Sequence, residues 1–243
     1  MGGARICYSG RRLMERLESA VEVDPSEYVV HVADGIGGPF LVLVGIILSQ
    51  NTSDKNSIAA LKEYVEKIGP RPEDALRAGP ERIMGAIRRA GGYRRKAEAI
   101  VESAKKIVER GGEEWLLKAD PSEVREVLSK VRGVGPKTID VFMAFTGRER
   151  VFPVDTHAMR IAWRWGLTRS PKAQYREASR ALAELFEGED YERAHKLLIA
   201  FGRRYCTARN PRCEECPLRD CCPYARGLLR PPSRGRGRGR GRS

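Results

Sequence analysis

No apolar stretch of this chain reaches the ~20 residues needed to cross a membrane. The longest, Ile36 to Leu48, holds three glycines and a proline, so it reads as a buried helix preceded by a loop. The N-terminus carries Arg5, Arg11 and Arg12 without an apolar signal core, which argues against secretion. No Ser or Thr stands at position 6, so Met1-Gly2 is not a myristoylation signal. Side-chain amides are scarce too: two Gln and three Asn stand against 45 Lys+Arg and 32 Asp+Glu. That bias points to a thermophilic prokaryotic source. Alternating strand patterns and internal repeats are missing. The expectation is an all-α, soluble, intracellular protein with no membrane partner.

What is abundant is positive charge. The 243 residues, enough for one or two domains, carry a net +13, and such a balance suggests a polyanionic partner. The six arginines from Arg230 to Arg242 supply less than half of it, so the body of the chain is basic as well. Leu228 to Ser243 holds Pro231-Pro232 and an Arg-Gly repeat that cannot bury enough apolar surface to fold. It reads as a disordered tail, either a non-specific nucleic-acid binder or dispensable.

Helical periodicity dominates the rest. Leu13, Leu17 and Val21 form one face within residues 11–33, and Asp34 to Pro39 reads as a break. Phe40 to Ser49 is apolar nearly all round, the mark of a central helix. Ser57 to Ile68 is amphipathic; Pro72 to Ala78 and Glu81 to Ala90 read as two short helices. Gly91-Gly92-Tyr93 is a turn before a basic helix, Arg94 to Arg110. Further helices are expected over Ala158 to Trp165, Tyr175 to Phe186 and Tyr191 to Cys206. His31 and His195 read as packing residues.

The centre of the chain is Val131-Arg132-Gly133-Val134-Gly135-Pro136-Lys137-Thr138. A helix should start at Asp120-Pro121-Ser122-Glu123, with Asp120 as cap, Pro121 at the first position and Glu123 in a capping box, and stop at Gly133. Pro136 should open the next. Gly133 and Gly135 permit positive φ and close backbone approach. The turn amides and the new helix N-terminus would then face outward as an anion site, suited to a nucleic-acid phosphate. Lys137, at a helix start, is pushed towards the neutral amine by the helix field, and partial burial would act the same way. Asp155, ahead of another helix, is expected to act as its N-cap while remaining able to serve chemistry. Cys206, Cys213, Cys216 and Cys222 follow a C-x6-C-x2-C-x5-C spacing, which suits either tetrahedral zinc or a [4Fe-4S] cluster. Cys221 competes with Cys222 for the last place, and Cys7 is left unpaired.

Three blocks, Leu128-x-x-Val131-x-Gly133-Val134-Gly135-x-Lys137-Thr138, Val154-Asp155-Thr156-His157 and the cysteine spacing, resemble in that order the endonuclease III family of helix-hairpin-helix DNA glycosylases. The resemblance spans roughly residues 37–224. It implies an all-α, two-lobed fold. A six-helix lobe at 37–148 would hold the hairpin at about 121–146. A second lobe would join 1–36 to 149–226 around a [4Fe-4S] cluster bound by the four cysteines, with a disordered tail at 227–243. The DNA cleft would lie between the lobes. The resemblance makes Lys137 a nucleophile forming a Schiff base and Asp155 its catalytic partner. An amide, Gln50 or Asn51, would fill the gap left by an extruded base, with Asp54 nearby. The family's bulky duplex wedge falls on Gly92, leaving Tyr93 or Arg94 to stack. Gly133, Val134, Gly135, Thr138, His157, Arg203, Arg209 and Arg212 complete the expected DNA contacts. The function implied is removal of oxidised pyrimidines from duplex DNA with nicking of the abasic site, by a monomer. A thymine or uracil mismatch glycosylase with weak lyase activity is the alternative within the enzyme class. A non-catalytic iron–sulfur DNA-binding protein is the alternative outside it.

Overall fold

The computed structural model describes residues 4–229. The Leu228 amide donates to the Pro223 carbonyl, so ordered turns reach that far; the Arg-Gly repeat beyond lies outside the described residues. Twelve helices and no strand occur among the described residues. In chain order they are α1 Gly10–Ala20, α2 Val29–Ile36, α3 Pro39–Ser49, α4 Asp54–Lys67, α5 Pro72–Ala86 and α6 Tyr93–Val108. Then come α7 Glu113–Lys118, α8 Pro121–Ser129, α9 Pro136–Phe145, α10 Thr156–Arg164, α11 Tyr175–Leu185 and α12 Tyr191–Arg204. None of them is long and apolar enough to cross a membrane.

Two hydrophobic cores organise these helices. The larger is built on α3, whose residues Phe40 to Leu48 are all buried, as its all-round apolar sequence requires. Helices α2 and α4 to α9 pack around it. The smaller core gathers α1, α10, α11 and α12, the segment before α1, and the cysteine loop after α12. Leu13 and Leu17 of α1 and Phe152, Phe186 and Phe201 are fully enclosed there.

Several expected boundaries move, for local reasons. Helix α2 continues through Asp34-Gly35 and breaks only at Gly37-Gly38. Its Val29, Val30 and Ala33 enter the larger core, so α2 packs onto the segment that follows it, with His31 turned towards Glu192 of α12. Gly45 makes this possible: a Cβ there would stand 3.2 Å from the Ala33 Cβ and 3.3 Å from the Val29 carbonyl, so α2 lies close on α3. The two short helices expected between Pro72 and Ala90 are both present within α5, parted where Gly79 (φ 68°, ψ 171°) leaves the helical region ahead of Pro80, and only the end of the second differs, passing into a 3₁₀ turn at Arg88–Ala90. The short α7 went unexpected; its Glu113 accepts the Phe40 amide at 3.0 Å and so caps α3. Helix α8 stops at Ser129, well before Gly133. Asp120 caps it, accepting from the Ser122 amide at 2.8 Å, but Glu123 accepts from the Trp115 indole instead of closing a capping box.

The two cores are docked by named contacts. Arg203 of α12 pairs with Asp54 at the start of α4. The Tyr28 hydroxyl donates to the Lys196 carbonyl at 3.3 Å. His31 stacks edge-on to Phe145 and lies 3.2 Å from Glu192, which keeps it in the packing role expected. Within the larger lobe, α8 and α9 are bound by Arg125, which reaches Asp140 at 2.6 Å and Glu149 at 2.8 Å. Asp140 is only 7% exposed, so removing that guanidinium would leave a buried carboxyl group without its ion-pair partner. Arg125→Met, which matches length but not charge, should cost about 2–4 kcal/mol in urea denaturation. Adding Asp140→Asn should recover part of the loss; an unchanged midpoint for the single variant would show that the pair carries little.

Candidate functional site

The hairpin turn takes its form from one glycine. Gly133 has φ 93°, a conformation costly for any residue with a Cβ. Gly135, in contrast, is extended (φ −91°, ψ 178°), so positive φ is not its purpose. A Cβ on Gly135 would meet nothing within 4 Å, and what its bareness preserves is backbone access from outside. Val134 does not face outward as expected: its side chain is buried and its amide donates to the Val131 carbonyl. The amides of Gly133 and Gly135 donate to no acceptor among the described residues. Pro136 then starts α9, placing Lys137 and Thr138 in its first turn.

Asp155 caps α10, accepting the Ala158 amide on Oδ1 at 2.7 Å. Its second oxygen has no donor among the described residues and is available for chemistry. Lys137 and Asp155, on helix starts of different cores, line one cavity of about 430 Å³. Lys137 is exposed. The same cavity takes in Gln50, Asn51, Asp54, Thr138, His157 and Arg203. Its apolar wall comes from Val30, Ile46, Val141, Phe145 and Ile199.

The two candidate amides differ. Gln50 Nε2 donates to the Gly133 carbonyl and to Thr138 Oγ1, each at 3.0 Å, so this amide braces the hairpin. Asn51 is exposed and holds a left-handed φ of 52°, a conformation that asparagine tolerates better than most residues. Asp54 and Arg203 neutralise each other. A second groove, of about 320 Å³, runs from Gln50 and Asn51 to Gly91, Gly92 and Gly133. Gly92 is bare and left-handed (φ 54°), while Tyr93 beside it is 36% exposed.

His157 lines the cavity with its Nδ1 2.9 Å from Arg160; burial lowers its pKa. Its ring needs Gly202, where a Cβ would stand 2.7 Å from Nδ1. His195 also lines the cavity, and burial pushes it down to about 4. It therefore stays neutral at neutral pH, a feature that its place in an amphipathic helix did not reveal. The cavity wall was likewise hidden, since Val30, Phe145 and Ile199 come from three distant segments. Arg209 and Arg212 are exposed on the loop after α12 and do not line the Lys137 cavity.

The cysteine loop separates six sulfurs into two kinds. Cys7 and Cys221 form a disulfide, so Cys7 is not the leftover expected. An even count with four residues spoken for was the signal that could have found this pair. With Cys221 engaged, the free thiols are Cys206, Cys213, Cys216 and Cys222. Among the described residues no three His, Cys, Asp or Glu side chains converge as ligands of a lone ion would. Burial, and then the charge of neighbouring sulfurs, pushes the Cys213, Cys216 and Cys222 thiols up, Cys216 to about 12. Ionised together they require a cationic centre. Arg164 fits such a centre. It is 4% exposed and donates to Cys206 Sγ at 3.1 Å, to the Thr207 carbonyl at 2.8 Å and to the Ala208 carbonyl at 3.3 Å. None of these partners is a carboxylate, and its buried Nε has no partner. A cluster held by four thiolates would supply the missing negative charge.

A family model for HhH-GPD superfamily base excision DNA repair proteins matches residues 44–187, and one for the iron–sulfur binding domain of endonuclease III matches residues 206–222. The endonuclease III of Sulfolobus acidocaldarius is 33% identical over 216 residues, covering 88% of this chain and 95% of that protein. That of Thermotoga maritima is 36% identical over 190 residues, covering 77% and 84%. A solved structure of a non-covalent endonuclease III–DNA complex superposes with a TM-score of 0.72 at 25% identity, covering 89% of this chain and 95% of that one. The disulfide gives a test independent of these likenesses. Cys7→Ser should lower stability by about 2–4 kcal/mol in non-reducing urea titrations, and a reductant should move the parent protein towards the variant.

Proposed function

Because the chain belongs to the HhH-GPD superfamily, as a base excision DNA glycosylase and abasic-site lyase of the endonuclease III type, we propose that Lys137 and Asp155 perform its chemistry on a damaged pyrimidine extruded from duplex DNA. The observation that carries this assignment is their meeting, from two separately packed cores, in one cavity of about 430 Å³. A cavity of that order suits a small ligand such as one flipped base. Its apolar wall, from Val30 and Ile46 to Phe145 and Ile199, offers the base a face to rest on.

The protein binds DNA. The Gly133 and Gly135 amides and the start of α9 receive the backbone phosphate, aided by the helix field. Asn51, the outward amide, fills the space of the extruded base, while Gln50 holds its loop to the hairpin. Tyr93 takes the wedge position beside Gly92 and stacks on the bases next to the gap.

The Lys137 amine attacks C1′ of the damaged nucleotide as the glycosidic bond breaks and the base departs. Asp155, through its free oxygen, stabilises the positive charge growing on the sugar and takes the proton shed by the amine. Ring opening leaves an imine between Lys137 Nζ and C1′. Loss of a proton from C2′ then expels the 3′ phosphate by β-elimination, and water releases the enzyme. Both reactive groups come from one chain, which suits a monomer.

The cofactor is a [4Fe-4S] cluster, and Cys206, Cys213, Cys216 and Cys222 would hold it. When bound it supplies structural and electrostatic anchoring of the 206–222 loop, not chemistry on the sugar. Arg164 faces it through Cys206. The purified protein should be yellow-brown, with thiolate-to-iron absorbance near ~400 nm; a protein with one zinc and no iron would contradict this assignment.

Lys137→Gln should abolish borohydride trapping on damaged or abasic duplex while leaving binding intact, since the hairpin backbone is unchanged. Asp155→Asn should keep the cap of α10 and lose ~10²–10³ in rate, measured in single turnover. A trapped complex with Lys137→Gln would move the nucleophile to another amine. Nicking at the parent rate by Asp155→Asn would reduce Asp155 to a helix cap.

A further inference from the structure

Lys96 of α6 is 6% exposed, and its ammonium has no carboxylate partner. Burying a lone cation costs several kcal/mol unless its protons are all used. Here all three are. Nζ donates to the Leu48 carbonyl at 2.8 Å, to the Ala90 carbonyl at 2.8 Å and to Thr52 Oγ1 at 2.7 Å. Thr52 in turn donates to the Ala90 carbonyl, which closes the network. Burial pushes the amine down to about 8, so charge is kept there against desolvation.

The acceptors come from two separate segments. Leu48 and Thr52 bracket Gln50 and Asn51. Ala90 is the last residue before the left-handed pair Gly91 (φ 62°) and Gly92 (φ 54°), which delivers Tyr93. Both segments border the same groove, and Lys96 lines it with them. A glycine turn and a polar loop of this kind are free to move unless held, and the side chains they present must reach their places together.

We propose that Lys96 is a positioning residue for base extrusion, tying the 49–54 loop and the 88–92 turn into one unit so that Asn51 and Tyr93 enter the duplex in register. The assignment rests on the reading above that these two segments penetrate DNA. It separates two steps of one enzyme. A damaged base must be extruded before Lys137 reaches C1′, whereas an abasic site has no base to unstack, so the linkage matters for the first and little for the second.

The test compares single-turnover rates on two duplexes of one sequence, one with thymine glycol and one with an abasic site. Lys96→Met, similar in length and apolar, should lower excision of thymine glycol at least ~10-fold while abasic nicking stays within ~3-fold. Thr52→Val removes one acceptor without changing shape and should shift the same ratio by a smaller factor; it carries the test should Lys96→Met fail to unfold cooperatively. Asn51→Ala and Tyr93→Ala report on the underlying reading. If these two leave the ratio of rates unchanged, the loops do not enter the duplex and both ideas fall. If they lower it while Lys96→Met and Thr52→Val do not, or if the latter slow both substrates equally, the assignment to Lys96 alone is overturned.

Discussion

Two helix starts that face each other across a seam impose the main constraint on this molecule. Lys137 opens α9 in the larger core and Asp155 caps α10 in the smaller. Neither core contains a reactive site by itself. The seam must therefore be held within fractions of an ångström, and its contacts are of mixed kind: the Arg203–Asp54 ion pair, the Tyr28 hydroxyl on a carbonyl, and His31 against Phe145. A purely apolar seam would slide; directional contacts fix its register. Two residues first read as DNA contacts, Asp54 and Arg203, belong to this seam as much as to the cavity they border.

How a buried cation is satisfied differs between the two lobes. Lys96 is met by neutral oxygens from loop backbones and a hydroxyl, so its role is geometric. Arg164 is met by a cysteine sulfur and loop carbonyls, and its charge is balanced only with the iron–sulfur cluster in place. The same physical cost is offset once by saturating protons and once by a cofactor.

What could be read along the chain was whatever had a short period or a fixed spacing. Helix α3 was legible because nothing on its circumference is polar, and Asp155 because a cap stands immediately before its helix. The four free cysteines were legible because they lie within one short loop. What escaped depends on distance or on neighbours. Helix α2 runs through Asp34-Gly35 because Gly45, ten residues later, lets it lie against α3. Gly135 looked like a positive-φ glycine and is extended. The cavity wall joins residues 30, 46, 145 and 199, which no local pattern links. Lys96 carries no sequence mark at all: a lysine on a basic helix looks solvated until the helix is packed.

The bond between Cys7 and Cys221 also changes what kind of object the chain is. Residues 7–221 form a covalent ring that takes in every helix of both cores among the described residues. A single cut by a protease anywhere on that ring opens it without releasing a piece. The two lobes then remain tethered at the cysteine loop, and the nicked molecule keeps its parts at high local concentration for re-docking.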